Sequence, residues 1–364
     1  MGKFPRLSRI LFLLACALFL PPSWWWILSI LRNTQQWKQQ DSGCVEITSS
    51  ISNVDVRHVN VSHPLIKSCS TVASKPEHLA HIEKKNDNRM TPFDMSLHDP
   101  SREVISMSIV KDTCYECPIL YSLVNAMHDT SAKHLLDMGG NIGLYALHVA
   151  ANGFDVTTFE PFKINQERIC QTINENTGLF SHKVTLVAAA LTNTTGIVSF
   201  NTKGFKNAVY KRGRNQLNLG SLVITNSVKM DNEHQQGGEE GKDYAQGVMM
   251  NNLKEILPPR GAHVALKVDV EGSECNALSG ALEYLSMLVI DYVAIEMSYS
   301  RLQICEANGQ LQPIFDLFIK NDLNCFIYNT ETKGWTGVNA SEWRITWKGR
   351  GLFDLAWSKT LPRE

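Results

Sequence analysis

The sequence predicts an α/β domain: a mostly parallel sheet with helices on both faces. Three observations predict it. From about residue 101, short apolar runs alternate with longer amphipathic ones, the pattern of strand–helix–strand units. Three of these runs, Leu135-Leu136-Asp137, Val156-Thr157-Thr158-Phe159-Glu160 and Val264-Ala265-Leu266-Lys267-Val268-Asp269, end in a carboxylate. The first is followed at once by Gly139-Gly140-Asn141-Ile142-Gly143, a tight turn into a helix.

After the glycine turn, Ile142 to Ala151 reads as a helix stopped by Asn152-Gly153. Val156 to Glu160 is the second strand, closed by Pro161. Ile164 to Asn176 is a second helix, Val184 to Ala190 a third strand, and Ile197 to Phe200 an added arm. Residues 231–247 are polar and Gly-rich and read as a solvated loop. The sheet resumes at Val264 to Asp269, followed by a helix from Ser273 to Leu288 and a strand from Tyr292 to Glu296. Helix Pro313 to Lys320 and strands Cys325 to Tyr328 and Phe353 to Trp357 complete the domain.

The first 100 residues differ. Lys3, Arg6 and Arg9 precede an uncharged run, Ile10 to Leu31, closed by Arg32. At about 1.5 Å per residue, such a run spans the roughly 30 Å hydrocarbon layer. Trp24, Trp25 and Trp26 suit an interface. Residues 1–32 therefore read as an uncleaved signal anchor; a cleaved signal peptide ending near Pro21-Pro22 is the alternative. Residues 33–100 read as a polar stem, and 101–364 as the domain. The basic residues ahead of the span, and the sequons at Asn60, Asn193 and Asn339, favour a type II protein of the Golgi or endoplasmic reticulum with a lumenal domain. Outside the apolar run lie eight cysteines, an even number compatible with disulfides. Cys114-x-x-Cys117 with His128 and His134 approaches a zinc spacing, but His134 opens a strand, so a local disulfide or two thiols is preferred and no metal centre is expected. A formal net charge of −1 supplies no overall basic field, so nucleic acid is not an expected partner.

In open α/β sheets, ligands sit beyond the carboxyl ends of the strands. Gly139, Gly140 and Gly143 would let a ligand approach the backbone, with Asn141 between them. Glu160, at the end of the next strand, is placed to accept a ribose hydroxyl pair. Asp137 beside the turn would repel a pyrophosphate but suits an ammonium, which favours S-adenosylmethionine over NAD. Ala189 lies at the carboxyl end of the third strand. Asp269 and Glu271 are candidate bases, and Lys267 alternates onto the side of Asp269.

Asp137-Met138-Gly139-Gly140-Asn141-Ile142-Gly143, Phe159-Glu160-Pro161, Ala190-Leu191 with Gly196, and Lys267-Val268-Asp269-Val270-Glu271-Gly272-Ser273-Glu274 follow in an order that resembles the FkbM-type methyltransferases. Leu278, Gly280 and Ile295-Glu296 continue the likeness, which covers about residues 134–300. Two positions depart from it. Ala189 stands where that family often has Asp or Asn, and Asn251-Asn252 where it tends to have Leu-Asp-Asp. The resemblance implies a Rossmann-like class I methyltransferase sheet, S-adenosylmethionine as cofactor and a hydroxyl-bearing acceptor such as a glycan or related small molecule. An NAD-type oxidoreductase and a catalytically degenerate membrane-tethered binding module are the alternatives.

Overall fold

The computed structural model describes residues 63–72, 74–83, 90–180, 183–201, 224–228 and 242–363. The apolar run at 10–31, the stem to residue 62 and the Asn60 sequon lie outside them. Among the described residues no helix is long and apolar enough to cross a membrane.

The central sheet has eight strands. β3 (His134–Met138), β4 (Asp155–Phe159), β5 (Val184–Val187), β10 (His263–Val268) and β11 (Val289–Ser298) are parallel, in the spatial order β5-β4-β3-β10-β11. β14 (Leu352–Ser358) then inserts antiparallel between β11 and β12 (Asn324–Asn329), and β13 (Gly334–Val338) closes that edge. A nicotinamide-type sheet runs on in parallel at this edge; the inserted antiparallel strand departs from it. Strand order reverses between β3 and β10, so the segments that follow those two strands meet at the switch point.

Both faces of the sheet are buried, which is why its strands read as near-continuous apolar runs. Alternate residues serve different cores. Leu135, Ala265 and Ala294 face helices α1 (Val104–Asp112), α2 (Cys117–Asp129), α3 (Leu144–Ala151) and α4 (Lys163–Glu175). Leu136, Leu266, Val293 and Ile295 face α5 (Glu274–Ser279), α6 (Leu282–Leu285), α7 (Tyr299–Ala307) and α8 (Leu311–Lys320).

Several expectations change. The helix expected from Ser273 to Leu288 is two short ones. Between them, a Cβ on Gly280 would come within 1.9 Å of the Thr192 carbonyl, so the chain there is crossed by another backbone. The expected third strand splits: β5 stays in the main sheet, whereas β6 (Ala190–Leu191) joins a second sheet with β7 (Gly196–Asn201), β8 (Ile224–Val228) and β9 (Lys242–Val248). Strand β9 takes up the end of the segment read as a loop over 231–247; residues 231–241 lie outside the description.

The boundary drawn at residue 101 also moves, because one compact unit runs from Val61 to Glu364. β1 (His78–Ile82) and β2 (Phe93–Leu97) form a hairpin on α4. The Ser96 amide donates to Thr172 Oγ1 at 2.9 Å, and the Ser96 hydroxyl to Gln171 Oε1 at 2.7 Å. Cys69 is disulfide-bonded to Cys170 on α4, and Cys275 to Cys305. The alternation Phe93, Met95, Leu97 was the strand signal, hidden among polar residues.

Candidate active site

The turn between β3 and α3 closes mainly on itself. The amides of Gly139 and Gly140 both donate to the Phe159 carbonyl, at 3.1 and 2.9 Å, and that of Gly143 to the Gly140 carbonyl at 2.7 Å. The Asn141 amide donates to Glu160 Oε2 at 2.7 Å. These amides are therefore not waiting for a ligand. The glycines answer to the protein as well. A Cβ on Gly139 (φ +95°) would meet the Asp269 carbonyl at 1.9 Å, and one on Gly140 would meet Thr158 Oγ1 at 2.1 Å. At Gly143 (φ +89°), Leu147 and Ile169 fill the space. What the glycines permit is the close approach of β10's end to the turn, with the Asp269 amide donating to the Met138 carbonyl at 3.0 Å.

Two cavities flank this junction. The larger holds about 560 Å³ of space, partly open to solvent. Glu160 lies on its wall, together with the apolar Phe162, Ala189 and Phe200 and the acidic Asp269 and Glu271. The Phe162 and Phe200 rings meet edge to face, 4.6 Å apart, where the small sheet folds over the start of α4. Both Glu160 oxygens are held by backbone: Oε2 by the Asn141 amide, Oε1 by the Phe162 amide at 2.8 Å. Asn165 adds a longer contact at 3.3 Å and is itself hydrogen-bonded to His98, just after the hairpin. A carboxylate oxygen has lone pairs left after one amide, so this fixed fork suits a ribose diol. Burial pushes its carboxyl up to about 8.

Asp137 is placed differently from the expectation. It is buried beneath the turn, accepts the Thr158 hydroxyl at 2.8 Å and lines neither cavity. Burial raises its carboxyl to about 7. Its direction is set by the strand: side chains alternate, and Asp137 points into the protein rather than at the crevice.

The candidate catalytic residues do come together. Lys267 is buried and donates to Asp269 Oδ2 at 3.1 Å, with its ammonium 4.7 Å from the Tyr145 ring centroid. Burial works against that charge, but Asp269, Glu116 and Asp354 outweigh it and hold the proton on. Lys267 is thus a fixed cation rather than a base. Asp269 lines both cavities, and its Oδ1 is shielded from solvent and has no hydrogen-bond partner among the described residues. Glu271 has φ +50°, a strained conformation for a non-glycine residue. Burial, then Asp269, raises its carboxyl to about 7.

Arg301, near the start of α7, was not legible from sequence. It bonds Glu274 at 3.1 Å and Glu296 at 3.2 Å, and approaches Glu271 at 3.7 Å. Glu274 also accepts the Gly272 amide, so it holds the loop rather than facing a ligand. Carboxylate oxygens of Asp269, Glu271 and Glu296 converge within 4.8 Å of one another, and Arg301 is the cation already paired with two of these residues. The zinc reading at Cys114 and Cys117 gives way to a disulfide between them. His128 packs on Phe154, and His134 bonds the Thr157 hydroxyl at 2.9 Å.

A family model, the methyltransferase FkbM domain, matches residues 137–320, just over half of the chain. The chain belongs to the FkbM methyltransferase family. Its cofactor is therefore S-adenosylmethionine, and NAD is set aside. The cavity with Glu160 on its wall, and an Asp269 carboxylate with one oxygen left without a partner among the described residues, fit that group. No curated protein matches the sequence. Among solved structures, the chain is similar to a precorrin-6y C5,15-methyltransferase from Geobacter metallireducens (9% identity over 69% of this chain and 88% of that one, TM-score 0.30). It is also similar to an rRNA methylase from Streptococcus thermophilus (11%, 72% and 98%, TM-score 0.30). A third is the N-terminal domain of human METTL16 in complex with SAH (11%, 73% and 76%, TM-score 0.33).

Proposed function

We propose that this FkbM methyltransferase domain methylates a hydroxyl oxygen of a glycan or related small molecule. The observation that carries the reading is Asp269, which lines both cavities: a carboxylate held by Lys267 through one oxygen, with the other left without a partner among the described residues. When bound, S-adenosylmethionine supplies an electrophilic methyl on a cationic sulfur. Asp269 would take the proton of the acceptor hydroxyl as the carbon–oxygen bond forms and the sulfur–carbon bond breaks. Lys267 holds Asp269 in place through Oδ2, and the remainder of the work is alignment. The acidic surroundings (Glu116, Glu271, Glu296, Asp354) favour acceptors that carry no negative charge.

The test is transfer of labelled methyl from S-adenosylmethionine to a panel of neutral sugars, uronic acids and small alcohols, with base-stability of the product read alongside. Label on a neutral hydroxyl, as a base-stable ether, is the expected result. Label restricted to amines or carboxylates would overturn the hydroxyl reading. Cofactor binding without transfer to any acceptor would favour a catalytically degenerate, tethered binding module.

We further propose that the domain is lumenal, anchored by residues 10–31. Three disulfides and the exposed side chains of the sequon asparagines Asn193 and Asn339 support an oxidising compartment. Protein from eukaryotic cells should shift in gel mobility after enzymatic deglycosylation and be protected from protease in intact microsomes. An unshifted, protease-accessible protein would put the domain in the cytosol.

A further inference from the structure

The second cavity lies on the other side of the Gly139–Asn141 turn. It shares Gly139, Asn141 and Asp269 with the first and holds about 350 Å³ of space, partly open to solvent. S-adenosylmethionine has two ends, an adenosine and an amino acid, joined at the sulfur. If the adenosine lies against Glu160, the amino-acid end has to continue past Asp269 into this second cavity. Asp137 was the residue expected to meet the ammonium there, and it does not reach either cavity.

The acid that does line the second cavity is Glu116, which precedes the family-matched residues. It is unusually well fixed. Its backbone is left-handed (φ +52°) at the entry to α2, with Pro118 in the first turn of that helix. The disulfide between Cys114 and Cys117 closes the four-residue turn that carries it. The Tyr145 hydroxyl donates to Glu116 Oε2 at 3.0 Å, and the Tyr115 hydroxyl bonds the same carboxyl. Both tyrosines line the cavity as well. The charges around it are out of balance: among the described residues lining the cavity Lys267 is the one cation, and Glu116, Asp269 and Asp354 all act on it. Such a site lacks positive charge, and a ligand that brings an ammonium supplies it.

We propose that the Cys114–Cys117 turn forms the amino-acid end of the cofactor site, with the Glu116 carboxylate as partner of the cofactor's ammonium. The inference rests on the S-adenosylmethionine assignment, and a pair of ligands separates the two. S-adenosylhomocysteine carries the amino-acid end; 5′-methylthioadenosine has the same adenosine and sulfur without it.

Both are titrated calorimetrically into the wild-type full chain and into Glu116→Gln, which keeps the shape and removes the charge. The variant should bind S-adenosylhomocysteine about 10- to 100-fold more weakly, the worth of a charge-assisted hydrogen bond. Its affinity for 5′-methylthioadenosine should stay within about twofold of wild type, which also reports that the adenosine cavity has folded. A third ligand, S-adenosylhomocysteine without its amino group, should bind both proteins alike. Equal losses for the first two ligands would make Glu116 a purely structural residue and overturn the proposal. An unchanged affinity for S-adenosylhomocysteine would also overturn it, leaving Glu116 to the acceptor. A wild-type chain that binds neither ligand would instead undo the cofactor assignment itself.

Discussion

Asp269→Asn should lower methyl transfer about 10²- to 10⁴-fold, the usual worth of a positioned general base, and change 5′-methylthioadenosine affinity little. The substitution preserves the side chain's shape and removes the carboxylate's charge and proton-accepting capacity, including Oδ1, which has no partner among the described residues, on a residue that lines both cavities. The adenosine end would still be held by Glu160, whose fork of backbone amides does not involve Asp269. Lys267 would keep Glu116 and Asp354 as its counter-charges, so the fold should survive. Turnover and calorimetric affinity, measured on the same preparation, decide the matter. Parallel loss of both would make Asp269 a cofactor or structural residue. Normal turnover would remove it from the chemistry and leave Glu271 or alignment alone.

The second large effect is at Gly139. Alanine there must adopt φ +95° and place its Cβ 1.9 Å from the Asp269 carbonyl. Backbone strain and overpacking together should cost about 2–5 kcal/mol of folding stability. Because the obstruction is backbone rather than a flexible side chain, the end of β10 has to move, and cofactor binding should fail with it. Gly178→Ala provides the control. Gly178 has the same φ of +95° with nothing within 4 Å of the added methyl, so only the strain of about 1–2 kcal/mol should appear. Denaturant midpoints for the two variants separate strain from clash. A Gly139→Ala protein no less stable than Gly178→Ala would show that the junction of β3 and β10 tolerates separation.

The parts of the site written in sequence are those encoded within a few neighbouring residues. The glycine turn, the acids at the ends of β3, β4 and β10, and the apolar runs of a doubly covered sheet were readable because turn chemistry and side-chain period are local. They led to the switch point, to Glu160 on the wall of the larger of the two cavities and to Lys267 beside Asp269. The hairpin β1–β2 was readable in principle, from the Phe93, Met95, Leu97 alternation, but its polar setting masked it.

Other features have no local signature. Asp137 and Glu160 look alike as strand-ending acids, yet one sits under the turn against Thr158 and the other on the cavity wall. Which way a strand-end side chain points depends on where the strand stops relative to the turn that covers it. Arg301 and Glu116 lie in segments with no motif. They reach the site because α7 follows β11 and α2 packs across the sheet beside α3, contacts between residues far apart in the chain. β14 between β11 and β12, and Cys69 on Cys170, are likewise long-range pairings chosen by the packing of the whole domain. The sequence by itself determined the sheet, its glycine turn and the family. The tertiary structure alone decided which acids face the crevice, because that choice is made by what packs against each strand end and not by the strand itself.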